Sequence, residues 1–199
     1  MALAENTRPT IVPASDPASL SRLSAAMEAE LALRGAATRP VVFACIGTDR
    51  STGDALGPLV GQKLVRLGLP AEAVIGTLED PLHALNIAER LRDLAPPGRG
   101  PLVVAVDAAL GPVSSVGSVA LRPGGLRPGQ GVGKELPEIG EVSITGTVNV
   151  GSCGLDAQIL QSTRLFLVQQ MADLIGVSCW WALRSLRRAG APRAAARAA

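Results

Sequence analysis

The chain has 199 residues, 47% of them hydrophobic and 2% aromatic, with a formal net charge of +2. This length fits one domain with short tails, and the aliphatic residues are numerous enough for a sizeable core. The body of the chain is slightly acidic, so we expect no nucleic-acid-binding face on the domain itself. The excess positive charge is concentrated at the end of the chain, in Arg184, Arg187, Arg188, Arg193 and Arg197.

Apolar periodicity predicts secondary-structure elements in a regular order. They are a helix at 19–33, a strand at 41–46, a helix at 58–67, a strand at 73–76, a helix at 81–94, strands at 102–106 and 116–121, a candidate edge strand at 141–150, and a long helix from 155 to 176 that extends toward 188. Near-continuous apolar strands alternating with helices are typical of a parallel sheet covered on both faces. The predicted fold is therefore α/β, a three-layer α/β/α sandwich with a mainly parallel sheet.

The two ends of the chain differ in composition from the domain between them. Residues 1–17 are rich in proline, serine, threonine and charge, and are expected to form a flexible lead-in. Residues 189–199 contain no large apolar side chain and include Pro192, so a disordered basic tail is expected. A single α/β domain is predicted for residues 18–188.

Cysteine usage and hydropathy indicate the compartment. Cys45, Cys153 and Cys179 are widely spaced and form no CxxC motif, which favours reduced thiols in a cytoplasmic protein. The N-terminus lacks the cationic start and apolar centre of a secretory signal. The apolar stretch at 165–186 is interrupted by polar and charged residues, namely Gln169, Gln170, Asp173 and Arg184. This pattern is typical of a buried amphipathic helix, so we expect no membrane span.

Two aspartates follow predicted apolar strands. Asp54 lies in the segment after the strand at 41–46, and Asp107 directly follows the strand at 102–106. Ligands of open parallel sheets bind outside the carboxyl ends of the strands. Two carboxylates at that edge could share a proton, activate a water or hold a metal.

Each aspartate also has a purely structural interpretation. Ser51 and Asp54 have the spacing of a capping box at the start of the next helix, and by spacing alone capping is favoured over catalysis. For Asp107, partial desolvation at the end of an apolar strand would raise its pKa, as in a functional acid. The structural alternative is an aspartate that accepts hydrogen bonds from loop amides, and the position of Asp107 favours neither interpretation.

His83 is the single histidine and opens the predicted helix at 81–94. Glu79 and Asp80 are close to it, but no second histidine or cysteine stands at ligand spacing, so a histidine at a helix start is favoured over a metal ligand. A nucleophilic pair of Cys153 with His83 has no local sequence signature. We expect no metal and no cofactor.

A glycine-rich segment precedes the last predicted strand. It reads PGQGVGK from Pro128 to Lys134, and it departs from the phosphate-loop pattern at Pro128 and at Glu135. Its amides could line a site, and Lys134 could neutralise a nearby anionic group.

Five ordered segments together resemble a known family. They begin at Cys45, Gly76, Val104, Pro128 and Thr145, and read CIGTDRSTGDALGP, GTLEDP, VAVDA, PGQGVG and TGTVN. They resemble the YyaC-type sporulation proteins, which are similar to the germination protease of spores and, more distantly, to the hydrogenase maturation peptidases. The resemblance implies a phosphorylase/hydrolase-like sandwich and a peptidase acting on a protein or peptide substrate in the cytoplasm of a sporulating cell or forespore.

The resemblance also implies roles for particular residues. The aspartate pair of the germination protease corresponds to Asp54 in TGDALGP and to Asp107 in VDA, so catalysis replaces capping as the expected role of Asp54. The hydrogenase peptidases have a histidine after the second acid that completes a nickel site, whereas His83 precedes Asp107. The substrate-binding residues implied by the matched motifs are Gly129, Gly131, Gly133, Lys134, Asp49 and Asn149.

Three functions remain open from the sequence. The leading expectation is a sporulation peptidase in which one aspartate polarises the scissile carbonyl while the other activates water. The alternatives are a non-catalytic sporulation protein that keeps the fold as a binding module, and a metal-assisted hydrolase using Asp54, Asp107 and an acid such as Glu79. Homo-oligomer formation is left open.

Overall fold

A computed structural model describes residues 8–92, 100–128, 138–152 and 154–190. The strands are β1 (Thr10–Pro13), β2 (Val41–Cys45), β3 (Val74–Ile75), β4 (Leu102–Gly111), β5 (Ser118–Pro123) and β6 (Val142–Val150). The helices are α1 (Ser19–Leu33), α2 (Leu56–Arg66), α3 (Ile87–Arg90), α4 (Asp156–Gln161) and α5 (Leu165–Gly190).

The six strands form one mixed sheet in the order β1-β5-β6-β4-β2-β3. β3, β2, β4 and β6 are parallel neighbours, whereas β5 is antiparallel to β6 and β1 is antiparallel to β5. The prediction of an α/β fold with a mainly parallel sheet is therefore confirmed. The carboxyl ends of the four parallel strands lie at one edge, where ligands bind in such sheets.

The two faces of the sheet are covered unequally. α1, α2 and α5 cover one face, and their buried apolar side chains form the main core with Val104 and Val106 of β4. The other face has a smaller apolar cluster that contains Ala105 and Ile87. Ile87 is the first residue of α3, a helix of only four residues. Alternate residues of a strand point to opposite faces, so Asp107 shares the thinly covered face with Ala105.

The N-terminal region departs from the sequence-based expectation. Residues 1–17 were expected to be flexible, but Thr10–Pro13 forms β1 and pairs with β5. Val12 is fully buried in the main core, which explains why so short a segment is held in place. A strand of four residues that ends in proline is typical of a sheet edge.

The helix predicted at 81–94 is wrong over most of its length, since only Ile87–Arg90 is helical within the described residues. The side chain of Asn86 accepts a hydrogen bond from the His83 N–H at 2.8 Å and donates one to the Pro81 carbonyl at 3.0 Å. Local side-chain bonds of this kind compete with the helical backbone pattern.

Three further boundaries differ from the prediction. β6 is central, between β5 and β4, and is not an edge strand. The predicted C-terminal helix is divided into α4 and α5, and at the break Thr163 Oγ1 donates to the Ile159 carbonyl at 2.8 Å. β4 continues to Gly111, so Asp107 lies within the strand and not after it.

α5 is long and apolar enough to cross a membrane by length and composition alone. Its buried residues Val168, Met171, Ile175 and Cys179 pack in the main core, and the helix contacts α1 and α2. We therefore interpret α5 as a core helix, as the sequence predicted.

Candidate active site

Asp54 is held at the carboxyl end of β2 by a tight loop. Gly47 follows the strand with φ +141, and a Cβ at this position would lie 1.9 Å from the Asp54 carbonyl oxygen. The Thr48 N–H donates to the same oxygen at 3.1 Å. The loop from 47 to 55 therefore closes on the end of the strand, and only glycine permits that approach.

Asp54 is not the cap of the following helix. The N-cap of α2 is Ala55, which forms no side-chain capping bond, and the first turn of α2 contains no acidic residue. The Ser51 hydroxyl is buried without a hydrogen-bond partner in the described part of the chain, so the predicted capping box is not formed. The partly buried Asp54 carboxyl group is left available for another role.

Asp107 lies opposite Thr145 in the parallel pairing of β4 with β6. The Ala108 N–H donates to Asp107 Oδ1 at 2.8 Å, and Thr145 Oγ1 accepts a hydrogen bond from the Arg122 guanidinium at 3.0 Å. Three neighbouring strands thus contribute an acid, a hydroxyl and a cation near one edge of the sheet.

The two carboxyl groups influence each other electrostatically. Burial, and then the negative charge of Asp54, raise the pKa of Asp107 well above its ordinary value, while the Ala108 N–H opposes this rise. Burial also raises the pKa of Asp54, whereas the Thr48 N–H and His83 lower it. Asp107 is therefore the group that holds a proton most strongly, and Asp54 is the group that is more easily ionised.

His83 lies in the loop between β3 and α3. Leu82 forms a parallel bridge with Ile46, and its carbonyl accepts a hydrogen bond from the Gly47 N–H at 2.8 Å. The residue before His83 is thereby fixed beside the loop that carries Asp54. His83 lowers the pKa of Asp54 through its electrostatic interaction with that carboxyl group.

The other predicted site residues are placed differently. Asp49 is exposed in the same loop as Asp54. Asn149 Nδ2 donates to the Ile159 carbonyl of α4 at 3.3 Å and to Thr163 Oγ1 at 3.2 Å, so this side chain connects β6 to α4 and to the residues between α4 and α5. Its predicted contact with substrate stays a prediction. The remaining four lie outside the described residues: Gly129, Gly131, Gly133 and Lys134.

No group of three or more His, Cys, Asp or Glu side chains in the described ranges is arranged to hold a metal ion. The pairing of Cys153 with His83 involves a residue outside those ranges. Cys45 and Cys179 are buried and free, and burial raises the pKa of both thiols, so neither has the character of a nucleophile.

The position of His83 next to the loop of Asp54 is not predicted from the sequence, because a long helix is expected to begin at residue 81. The strand predicted at 73–76 does give a signal for it, since residues 77–83 follow the carboxyl end of that strand.

Together, fold and site define an α/β protein with a mainly parallel sheet and a pair of interacting aspartates, one in the loop after β2 and one within the neighbouring β4. The chain belongs to the family described as "Protein of unknown function (DUF1256)", whose model matches residues 12–178. It is 51% identical over 143 residues to "Uncharacterized protein YyaC" of Bacillus subtilis (strain 168), covering 72% of this chain and 69% of that protein.

A solved structure with a related arrangement is that of the NiFe hydrogenase maturation protease HycI from Thermococcus kodakarensis KOD1. It covers 78% of this chain and 99% of its own, with a TM-score of 0.47 and 17% sequence identity. A similarity of this extent supports no conclusion about activity.

Proposed function

We propose that this protein is a peptidase in which Asp54 and Asp107 share one proton and hydrolyse a peptide bond. The observation that carries the proposal is the electrostatic interaction of the two partly buried carboxyl groups, in which the charge of Asp54 raises the pKa of Asp107. Carboxylates close together do not both ionise readily, so a pair with one proton offers an acid and a base at the same place.

The directions of the two pKa shifts suggest which aspartate has which role. Asp107, the stronger holder of a proton, donates a hydrogen bond to the scissile carbonyl oxygen. Asp54, the ionised member, takes a proton from water as the water oxygen bonds to the carbonyl carbon. The proton then passes to the amide nitrogen, the C–N bond breaks, and the products are a carboxylic acid and an amine.

The substrate class is supported by the sequence resemblance. TGDALGP around Asp54 and VDA around Asp107 resemble the motifs that carry the aspartate pair of the germination protease. On that basis we propose a protein or peptide substrate and a role in sporulation, in the cytoplasm of a spore-forming bacterium.

Incubation with a spore-protein extract in water enriched in oxygen-18 tests the function. We expect new peptides whose C-terminal carboxylates carry the heavy oxygen, because water supplies one oxygen atom in hydrolysis. Mass spectrometry reads both the cleavage and the label. Asp107→Asn should yield no such products.

A matched control for this assay is Asp16→Asn, at a surface aspartate before α1 where Asp16 Oδ1 accepts the Ala18 N–H. Asparagine replaces aspartate well in such turns, so this variant should cleave like the wild type. Folded wild-type protein that releases no labelled product from any extract would contradict the peptidase proposal and favour the binding-module alternative.

A further inference from the structure

We propose that His83 is a positioning residue that keeps Asp54 as the charged member of the aspartate pair. This inference rests on the proposed function, in which Asp54 is the base. Two geometric observations carry it, namely where the backbone places His83 and how the bonds of its ring orient the imidazole.

The backbone places His83 and Asp54 on either side of one glycine. The Gly47 N–H donates to the carbonyl of Leu82, the residue before His83. The position that a Gly47 Cβ would occupy is 1.9 Å from the Asp54 carbonyl oxygen. The loop after β3 and the loop after β2 are therefore in contact at the same point, with no room for a side chain between them.

The hydrogen bond to the imidazole ring of His83 leaves one ring nitrogen for a further partner. The Leu85 N–H donates to His83 Nδ1 at 3.3 Å. Asn86 fixes the turn because its side chain binds both the His83 N–H and the Pro81 carbonyl. Since Nδ1 accepts this hydrogen bond, Nε2 is the ring nitrogen that is left to donate to another group. In this proposal Nε2–H acts on the Asp54 carboxylate.

The charges around Asp54 agree with this role. His83 acts on its carboxyl group from the loop after β3, and the charge of Asp54 in turn acts on Asp107 of β4. The loop of Asp54 also carries the exposed Asp49 and Arg50. Burial disfavours a charge on Asp54, whereas the Thr48 N–H and His83 favour it. Without His83, the distinction between the acid and the base of the pair would weaken.

Two substitutions separate positioning from a merely structural role of the loop. His83→Asn keeps an acceptor near Nδ1 for the Leu85 N–H and removes the group at Nε2. His83→Gln keeps a donor near the Nε2 position and loses the Nδ1 acceptor. If His83 only supports the structure of the loop, the pKa of Asp54 should change more in the Gln variant. If His83 acts on Asp54, that pKa should change more in the Asn variant.

The first readout is the carboxyl carbon titration of Asp54 by NMR, which requires no enzymatic activity. We expect the pKa of Asp54 to rise by about one unit in His83→Asn and by less in His83→Gln. His83 is the only histidine of the chain, so its ring nitrogen signals are identified directly and should show the Nε2–H form. The proposal would be overturned if the pKa of Asp54 did not change in His83→Asn, or if it changed more in His83→Gln. It would also be overturned if the ring nitrogen signals showed the proton on Nδ1.

The second readout is the pH profile of peptide cleavage. We expect the acid limb of kcat/KM to move upward by about one pH unit in His83→Asn, because a protonated base is inactive. A shift in the NMR titration without any cleavage in wild-type protein would support the role of His83 and contradict the peptidase function.

Discussion

Asp54→Asn and Asp107→Asn should each reduce kcat/KM by about 1000-fold, because each removes one member of a pair that transfers protons together. This corresponds to about 4 kcal/mol of transition-state stabilisation. The double variant should be little slower than either single variant, since residues that act as a unit are not additive. Peptide hydrolysis by the four proteins, measured under one set of conditions, gives the comparison.

The fold of each aspartate variant is the control for that comparison. Asparagine is close in shape to aspartate, so circular dichroism and melting temperature should remain those of a folded domain. A folded Asp54→Asn protein with near-normal turnover would return Asp54 to a structural role and remove the mechanism.

Gly57→Ala should destabilise the domain by about 3 kcal/mol, which for this size lowers the melting temperature by roughly 6 to 12 °C. A Cβ at Gly57 would lie 2.0 Å from the carbonyl oxygen of Ile46, and this neighbour is backbone that cannot rotate away. The first turn of α2 would have to move from the end of β2 and take Asp54 with it. The melting temperature and the rate of peptide cleavage should therefore both fall.

Gly176→Ala is the matched control, because Gly176 is also a helical glycine with a close neighbour. Its added Cβ would approach Lys63 Cγ at 2.8 Å and Lys63 Cβ at 3.1 Å, so the side chain of Lys63, whose amino group pairs with Asp173, would have to shift. Alanine favours the helix over glycine by up to about 1 kcal/mol, and the neighbour is a side chain and not backbone, so we expect a smaller loss of stability than in Gly57→Ala. Equal destabilisation by the two substitutions would contradict the close packing of α2 on β2.

The central part of the fold could be predicted from the sequence because its strands are apolar throughout. The segments at 41–46 and 102–106 pack against a cluster on each face of the sheet, so consecutive residues must be apolar. Val103 and Val104, for example, pack on opposite faces. β1 could not be predicted in the same way, since its four residues contribute one fully buried side chain, Val12, and depend on β5 for their hydrogen bonds.

The site was predictable where it depends on strand order and not where it depends on loops. The carboxyl-end rule predicts that Asp54 and Asp107 lie at the same end of the sheet, and β2 and β4 are parallel neighbours in it. The position of His83 depends on the Asn86 side chain and on the bridge between Leu82 and Ile46, and neither contact has a periodic signal in the sequence.

Carboxyl carbon titration of the unmodified protein and its two Asp→Asn variants tests most directly whether Asp54 and Asp107 share a proton. We expect Asp107 to titrate well above the ordinary value of about 3.9 in the wild type and to move down in Asp54→Asn, where the charge that raises its pKa is gone. In the wild type the two midpoints belong to the pair as a whole. If both groups titrate near the ordinary value and neither responds to the loss of the other, the aspartates do not form a pair.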